Sequence, residues 1–440
     1  RFQARRQRSC ESSRLRGKSL TMVGEAGGKS MVSSSLLLLS AGIGTGVLVL
    51  PRAMADVGIL PMLALLAVGC LLSAFTTWIL FCAVAACRED HRAERLLKDG
   101  AVPEVWVRPT PSRPQNWPAY ADLLLMITPP WTSIVLDSLL VLYAIGAIMT
   151  YLLFLADFLS KLTVWYSMVD QNGTIVLMAS LVFVLSLFKS VGGLARLSSS
   201  GLIALTCMAV GIWIRAPEVS EQREAPLAVV KDMETLPAVL CISVYAFMWH
   251  TNCVTVAREL QNPTRWRCFI VAFASTALLY VVYALIAFGG YLSWGDKVAE
   301  SRSIVAMYAE NDVLFVAIRV LLSVAMVITT AVNVYPLRES CIGLVKSFTG
   351  RSLNLRGWSH AAWAGIIMVV SATLAIAFPN VVAIITLLGG TLAACMMLVF
   401  PSIIAKMVVG ERAWLLVMAT NFTLVAMLLL AGFGLIGRPA

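Results

Sequence analysis

Three glycines at alternate positions, Gly42, Gly44 and Gly46, flank the hydroxyl of Thr45 within an apolar run, MVSSSLLLLSAGIGTGVLVLPRAMAD over residues 31–56. Each glycine weakens a helix by about 1 kcal/mol relative to alanine, so a helix entering this stretch is expected to unwind. Beyond Gly46, residues 47–54 can restart as a half-helix whose first amides carry partial positive charge and suit a carboxylate. The same spacing also suits close helix–helix packing, the other common use of small residues in apolar helices. A second polar cluster, Trp249-His250-Thr251-Asn252, interrupts the run PAVLCISVYAFMWHTNCVTVARELQNP. His250 could pass a proton near neutral pH, or sit neutral against a neighbouring carbonyl. In a third run Ser323, Thr329, Thr330 and Asn333 recur at roughly helical spacing. Their oxygens could coordinate an ion or bond neighbouring helices.

Other chemistries find no support. The ten cysteines are scattered, with no CxxC and no Cys/His spacing suited to a metal. Neither HExxH nor G-x-S-x-G occurs, so no catalytic residue is assigned and no enzyme is expected. Gly27-Gly28-Lys29-Ser30 looks like the end of a phosphate-binding loop, but its required first glycine falls at Val23. No cofactor is expected beyond a coupling ion, H+ or Na+.

The elements that would position these residues follow from composition. Of 440 residues, 59% are hydrophobic and only 13% charged, and the apolar residues come in long blocks. That pattern belongs to an all-α integral membrane protein. Eleven helices are expected over residues 31–55, 59–86, 131–159, 173–188, 198–215, 236–257, 268–292, 313–336, 359–378, 381–405 and 413–436. With the N-terminus inside, the inner segments hold 25 of the 34 Lys and Arg, and the outer ones seven. This asymmetry predicts a cytoplasmic N-terminus and an outer C-terminus. The net charge of +10 therefore marks orientation and contact with anionic lipid, not nucleic acid. No cleavable signal peptide is expected, because the basic stretch is too long and the following span too extended. Residues 1–30 form a basic tail expected to be disordered, 31–436 the membrane domain, 88–118 a mobile cytoplasmic loop, and 437–440 a short outer tail. Asn172-Gly173-Thr174 is a glycosylation sequon on the outer side, or a chance match. Asp137 and Asp157 lie near the two ends of the third run, where carboxylates stay partly hydrated. Arg52 is expected to snorkel to the outer interface.

Several ordered patches resemble the amino acid/auxin permease family, which includes sodium-coupled neutral and proton-coupled amino acid transporters. The most specific is Gly44-Thr45-Gly46-Val47-Leu48-Val49-Leu50-Pro51, similar to the family's G-[ST]-G-x-L-x-L-P. Tyr120-Ala121-Asp122-Leu123, Tyr151–Asp157, Phe247–Pro263, Tyr291–Asp296 and Tyr335-Pro336-Leu337-Arg338 follow in the family's order. The resemblance covers nearly all of residues 31–436. It implies a LeuT-like fold: a 5+5 inverted repeat, about 31–215 and 236–405, with broken helices 1 and 6 and an added eleventh helix at 413–436. It also implies an amino acid site framed by helices one, three, six and eight. The candidate binding residues are Gly42, Ile43, Gly44, Thr45, Gly46, Tyr143, Phe247, Trp249, His250, Thr251 and Asn252. The ion-coupling candidates are Ser40, His250, Thr329 and Thr330. Sodium-coupled members typically carry an asparagine where this chain has Ser40, whereas Thr329 matches their helix-eight threonine.

The expected function is therefore transport of a neutral or cationic amino acid by alternating access, with proton-coupled or uncoupled carriage favoured over sodium coupling. The alternative is an amino acid sensor that binds the same substrate and signals through its cytoplasmic loops. A plasma membrane and a vacuolar or lysosomal membrane are both compatible with the sequence, and it carries no expectation for oligomeric state.

Overall fold

The computed structural model describes residues 29–98, 120–125, 128–129, 131–162, 169–187, 200–221, 223, 225–231, 233–349 and 358–436. Most of the basic tail, residues 99–118 of the expected loop and the last four residues lie outside them. The described residues are helical, with no strand; one isolated parallel bridge joins Lys29 to Leu260.

The first run breaks where its glycines fall. Helix α1 (Met31–Gly42) starts at Ser30, whose side chain accepts the Ser33 amide. Ile43 and Gly44 are extended, Thr45–Val49 form a tight 3-10 turn, and α2 (Leu50–Val57) restarts with Pro51 in its first turn. Proline is favoured there because it lacks an N–H that would go unbonded anyway. The two halves are bent by 57°. Gly58, at φ 91°, then turns the chain sharply into α3 (Ile59–Lys98), and residues 228–231 bond across this turn. The apolar part of α3 ends at Cys87. The helix itself continues through residues 88–98, which the sequence reading places in a loop.

A short α4 (Tyr120–Leu125) precedes α5 (Trp131–Ser160), α6 (Gln171–Ser186) and α7 (Ser200–Ser220). The sixth run forms α8 (Leu236–Ala246) and α9 (His250–Glu259), interrupted at Phe247–Trp249. Unlike the first break, this one leaves Met233–Glu259 straight enough to count as one span. Next come α10 (Arg265–Trp294), α11 (Val313–Thr349), α12 (Trp358–Ala377) and α13 (Val381–Leu388). The chain widens into π-helical turns at Gly389–Ala393 and Cys395–Val399, then closes with α14 (Phe400–Ile404) and α15 (Glu411–Ile436).

Among the described residues, eight helices are long and apolar enough to cross a membrane, and nine if the bent α1–α2 pair is one span. Two shorter apolar helices, Gln171–Ser186 and Ala361–Ala377, fall where the fourth and ninth runs are expected. Burial separates centre from rim. The α8–α9 span has 78% of its apolar window buried, against 17% for α15, whose Leu416 and Leu430 point outward. Because lipid is as apolar as leucine, helices here are held by close packing and buried hydrogen bonds. Gly46 packs against the Ala246 backbone, and Gly290 against Pro51. Tyr120 adds a polar tie, its hydroxyl donating to Met396 O at 2.7 Å.

Candidate functional site at the helix breaks

The unwound segment of the first span delivers Thr45 to the centre of the bundle, where three hydroxyls converge. Thr45 Oγ1 lies 2.8 Å from Thr150 Oγ1 on α5 and 3.1 Å from the Tyr245 hydroxyl at the end of α8. Thr150 and Tyr245 close the triangle at 3.2 Å. Thr150 also donates to Ala147 O at 2.8 Å. With that proton committed, two protons serve three oxygen–oxygen edges, and lone pairs remain free to accept. All three residues are buried. Buried hydroxyls with spare acceptor capacity suit a donor-rich, charged guest such as an ammonium group. Tyr143 borders the triangle, its ring 6.0 Å from that of Tyr245.

The carbonyls freed by both breaks are also engaged. The Tyr283 hydroxyl on α10 reaches Gly42 O at 3.0 Å and Ala246 O at 3.2 Å. Tyr151 donates to Ile43 O at 3.4 Å, and Ser73 to Phe247 O at 2.9 Å.

The second polar cluster is turned toward α3. Trp249 Nε1 donates to Thr77 Oγ1 at 2.8 Å, and its ring lies so close to Gly42 that any added methyl would strike it. His250 Nε2 sits 2.8 Å from Thr76 Oγ1, whose own proton goes to Leu72 O at 2.7 Å. With the Thr76 proton on Leu72 O, Nε2 carries the hydrogen and donates it, and Nδ1 is then an acceptor. Nδ1 is buried and has no partner among the described residues. Thr251 and Asn252 are half-buried in the first turn of α9. The structure thus brings Thr45 and Tyr143 together around Tyr245, sets Gly42, Ile43 and Ala246 under tyrosine hydroxyls, and holds His250 one layer away.

The ion-coupling candidates are less gathered. Ser40 is buried in α1, Thr329 is half-buried, and the Thr330 hydroxyl donates within its own helix to Met326 O at 2.7 Å. No group of three His, Cys, Asp or Glu suited to a metal occurs among the described residues. Asp157, two turns beyond Thr150 on α5, accepts from Ser303 at 2.9 Å. Arg52, expected to reach for an interface, is half-buried and donates to Ser301 O at 3.3 Å. With Arg302 and residues 379–382 it lines a cavity of 290 Å³ at the end of the bundle remote from Lys29. At the Lys29 end the bundle is latched: Lys29 Nζ meets Glu259 at 2.7 Å, and backbone bonds tie residue 29 to residues 259 and 261.

Sequence reasoning missed Thr150, Tyr245 and Tyr283. Each is one hydroxyl among several in an apolar helix, a pattern shared with many side chains that only bond their own turn. The available signal was helical spacing: Thr150 lies seven residues beyond Tyr143, hence on the same face.

Comparison with known proteins agrees with this architecture. A Toxoplasma gondii protein named as a candidate amino acid transporter, AAT1, is 27% identical over 323 residues. The match spans 72% of this chain but only 41% of that longer relative. Among solved structures, a single-site mutant of the manganese transporter of Eremococcus coleocola superposes with a TM-score of 0.57 at 12% identity, covering 92% of this chain and 88% of its own. MhsT in complex with L-phenylalanine gives 0.56 at 11% identity, covering 93% and 100%. At such identities the structural likeness concerns the fold alone, which is LeuT-like as the sequence patches imply. The family model for transmembrane amino acid transporter proteins matches residues 27–438, nearly the whole chain. With that match, and with apolar helices to cross a bilayer many times, the chain belongs to the transmembrane amino acid transporter protein family.

Proposed function

We propose that this protein carries amino acids across its membrane by alternating access, binding them between the breaks of the first and sixth spans. The observation that carries this reading is the convergence of Thr45, Thr150 and Tyr245 beside unwound backbone. Irregular backbone is tolerated at membrane depth only when buried in protein or facing a wet cavity. Half-helix N-termini at such breaks favour an anionic group. The start of the 3-10 turn at Thr45 supplies amides for a carboxylate, and the hydroxyl triangle supplies acceptors for an ammonium, so a zwitterion matches both.

The reading includes eleven spans arranged as two inverted five-helix repeats, 31–215 and 236–405, with α15 added outside. Matching breaks at the first and sixth positions and the low burial of α15 support that division. The N-terminus is placed in the cytoplasm and the C-terminus outside, by the excess of Lys and Arg in alternate loops. Neutral or cationic amino acids are the substrates, in a plasma membrane or a vacuolar or lysosomal one. Carriage is proton-coupled or uncoupled, with His250 as the proton candidate because its bare Nδ1 is the open acceptor at the second break. Lys29 ties the start of the first span to the end of the sixth by an ion pair and two backbone bonds, a contact that alternating access would have to break.

The direct test is uptake of a panel of labelled amino acids into proteoliposomes, with and without a pH gradient. Saturable uptake of at least one supports the reading. No uptake above empty liposomes across the whole panel refutes it.

A further inference from the structure

Two half-helices end at one hydroxyl. The terminal carbonyl of α1, Gly42 O, and that of α8, Ala246 O, lie 3.0 and 3.2 Å from the oxygen of Tyr283. Helix C-termini leave carbonyls without intrahelical partners and carry partial negative charge. Two such ends pointed at one spot repel each other unless something positive lies between them. In carriers with broken helices, unwound carbonyls and half-helix C-terminal ends are where Na+ or H+ is coordinated. Here the positive end between them is the proton of a phenol fixed to a third helix. Tyr283 is fully buried, and its ring packs 5.4 Å from that of Phe247, so it cannot swing away without repacking the sixth-span break. One proton serves two acceptors at nearly equal distance, so strengthening the bond to one break weakens it to the other.

We infer that Tyr283 is a positioning residue standing where a coupling cation would otherwise bridge the first and sixth spans, so that this carrier needs no sodium there. The inference rests on the transport reading for its meaning, but not for its test. The substitution Tyr283→Phe keeps the ring and removes the one donor that the two carbonyls share among the described residues, opening a gap that a small cation can enter.

The purified full-length chain is melted in sodium chloride and in choline chloride of equal ionic strength. Wild type should melt at the same temperature in both salts. Tyr283→Phe should melt lower than wild type in choline and recover part of the loss in sodium, a cation-specific rescue that a merely structural role would not produce. A sodium-specific shift in wild type, or identical melting of Tyr283→Phe in the two salts, overturns the inference. If Tyr283→Phe yields no folded protein, the wild-type comparison decides alone. In proteoliposomes, wild-type uptake should be equal in the two salts, and Tyr283→Phe should be about fivefold slower in choline than in sodium. Absence of all uptake would count against the transport reading while leaving the melting result intact, so the two failures are distinct.

Discussion

Gly46→Ala tests the close approach on which the central site depends. A Cβ at residue 46 would lie 3.0 Å from Ala246 Cα and 3.0 Å from Tyr245 Cδ1. The first neighbour is backbone and cannot rotate away, so the first and sixth spans must separate by a few tenths of an ångström. Overpacking of this kind costs about 1–3 kcal/mol. The separation also stretches the 3.1 Å bond between Thr45 and Tyr245, and a net buried hydrogen bond contributes about 1 kcal/mol. The packing cost lowers stability, and the stretched bond, at about 1 kcal/mol, corresponds to about fivefold in uptake efficiency. Initial-rate uptake at matched folded protein, with melting temperature measured alongside, reads both effects. Gly44→Ala is the control: its backbone is extended at φ −116°, and its Cβ would meet only the Tyr151 hydroxyl, at 3.9 Å. That variant should melt like wild type. If Gly46→Ala keeps both its melting temperature and uptake within about twofold of wild type, the packing argument is refuted.

Three further outcomes are expected. Tyr245→Phe removes one of two protons serving the hydroxyl triangle, and should raise KM about fivefold and lower the melting temperature by the equivalent of about 1 kcal/mol; an unchanged KM would take Tyr245 out of the site. His250→Ala should flatten the pH dependence of uptake if Nδ1 takes up the coupled proton, whereas an unaltered profile would leave His250 a structural partner of Thr76. Asp312 is held below its ordinary value of 3.8 chiefly by the Arg215 guanidinium, which bonds both its oxygens at 2.8 and 3.1 Å. A depressed carboxylate stabilises the fold fully above its unfolded pKa and loses that contribution as pH falls through the folded pKa. Wild type should therefore lose melting temperature as the pH falls below about 4. Asp312→Asn should melt lower at neutral pH and show a smaller acid decline; an identical decline in both proteins would discount the pair.

What the amino-acid order settles here is governed by short-range rules. Long apolar blocks must become helices, because lipid offers backbone groups no other partner. Glycines 42, 44 and 46 weaken the first block locally, and the chain unwinds just there, at residues 43–44. Alternating loop charge and the ordered patches from residue 44 to residue 338 were enough to indicate the family. The site itself was only half legible. Thr45 and Tyr143 were read from the sequence, but Thr150 and Tyr245 lie 105 and 200 residues from Thr45, and Tyr283 lies 37 and 241 residues from the two carbonyls it bonds. Nothing local distinguishes these hydroxyls from Thr330, which merely bonds its own turn. The second break was legible as a polar cluster, yet Trp249 and His250 face Thr77 and Thr76 because α9 packs on α3, a choice made by neighbouring helices. Periodicity and composition act within one segment and so decide which segments are helical and where they fail. Which side chains meet at those failures depends on the packing of whole helices, and that exists only in the folded bundle.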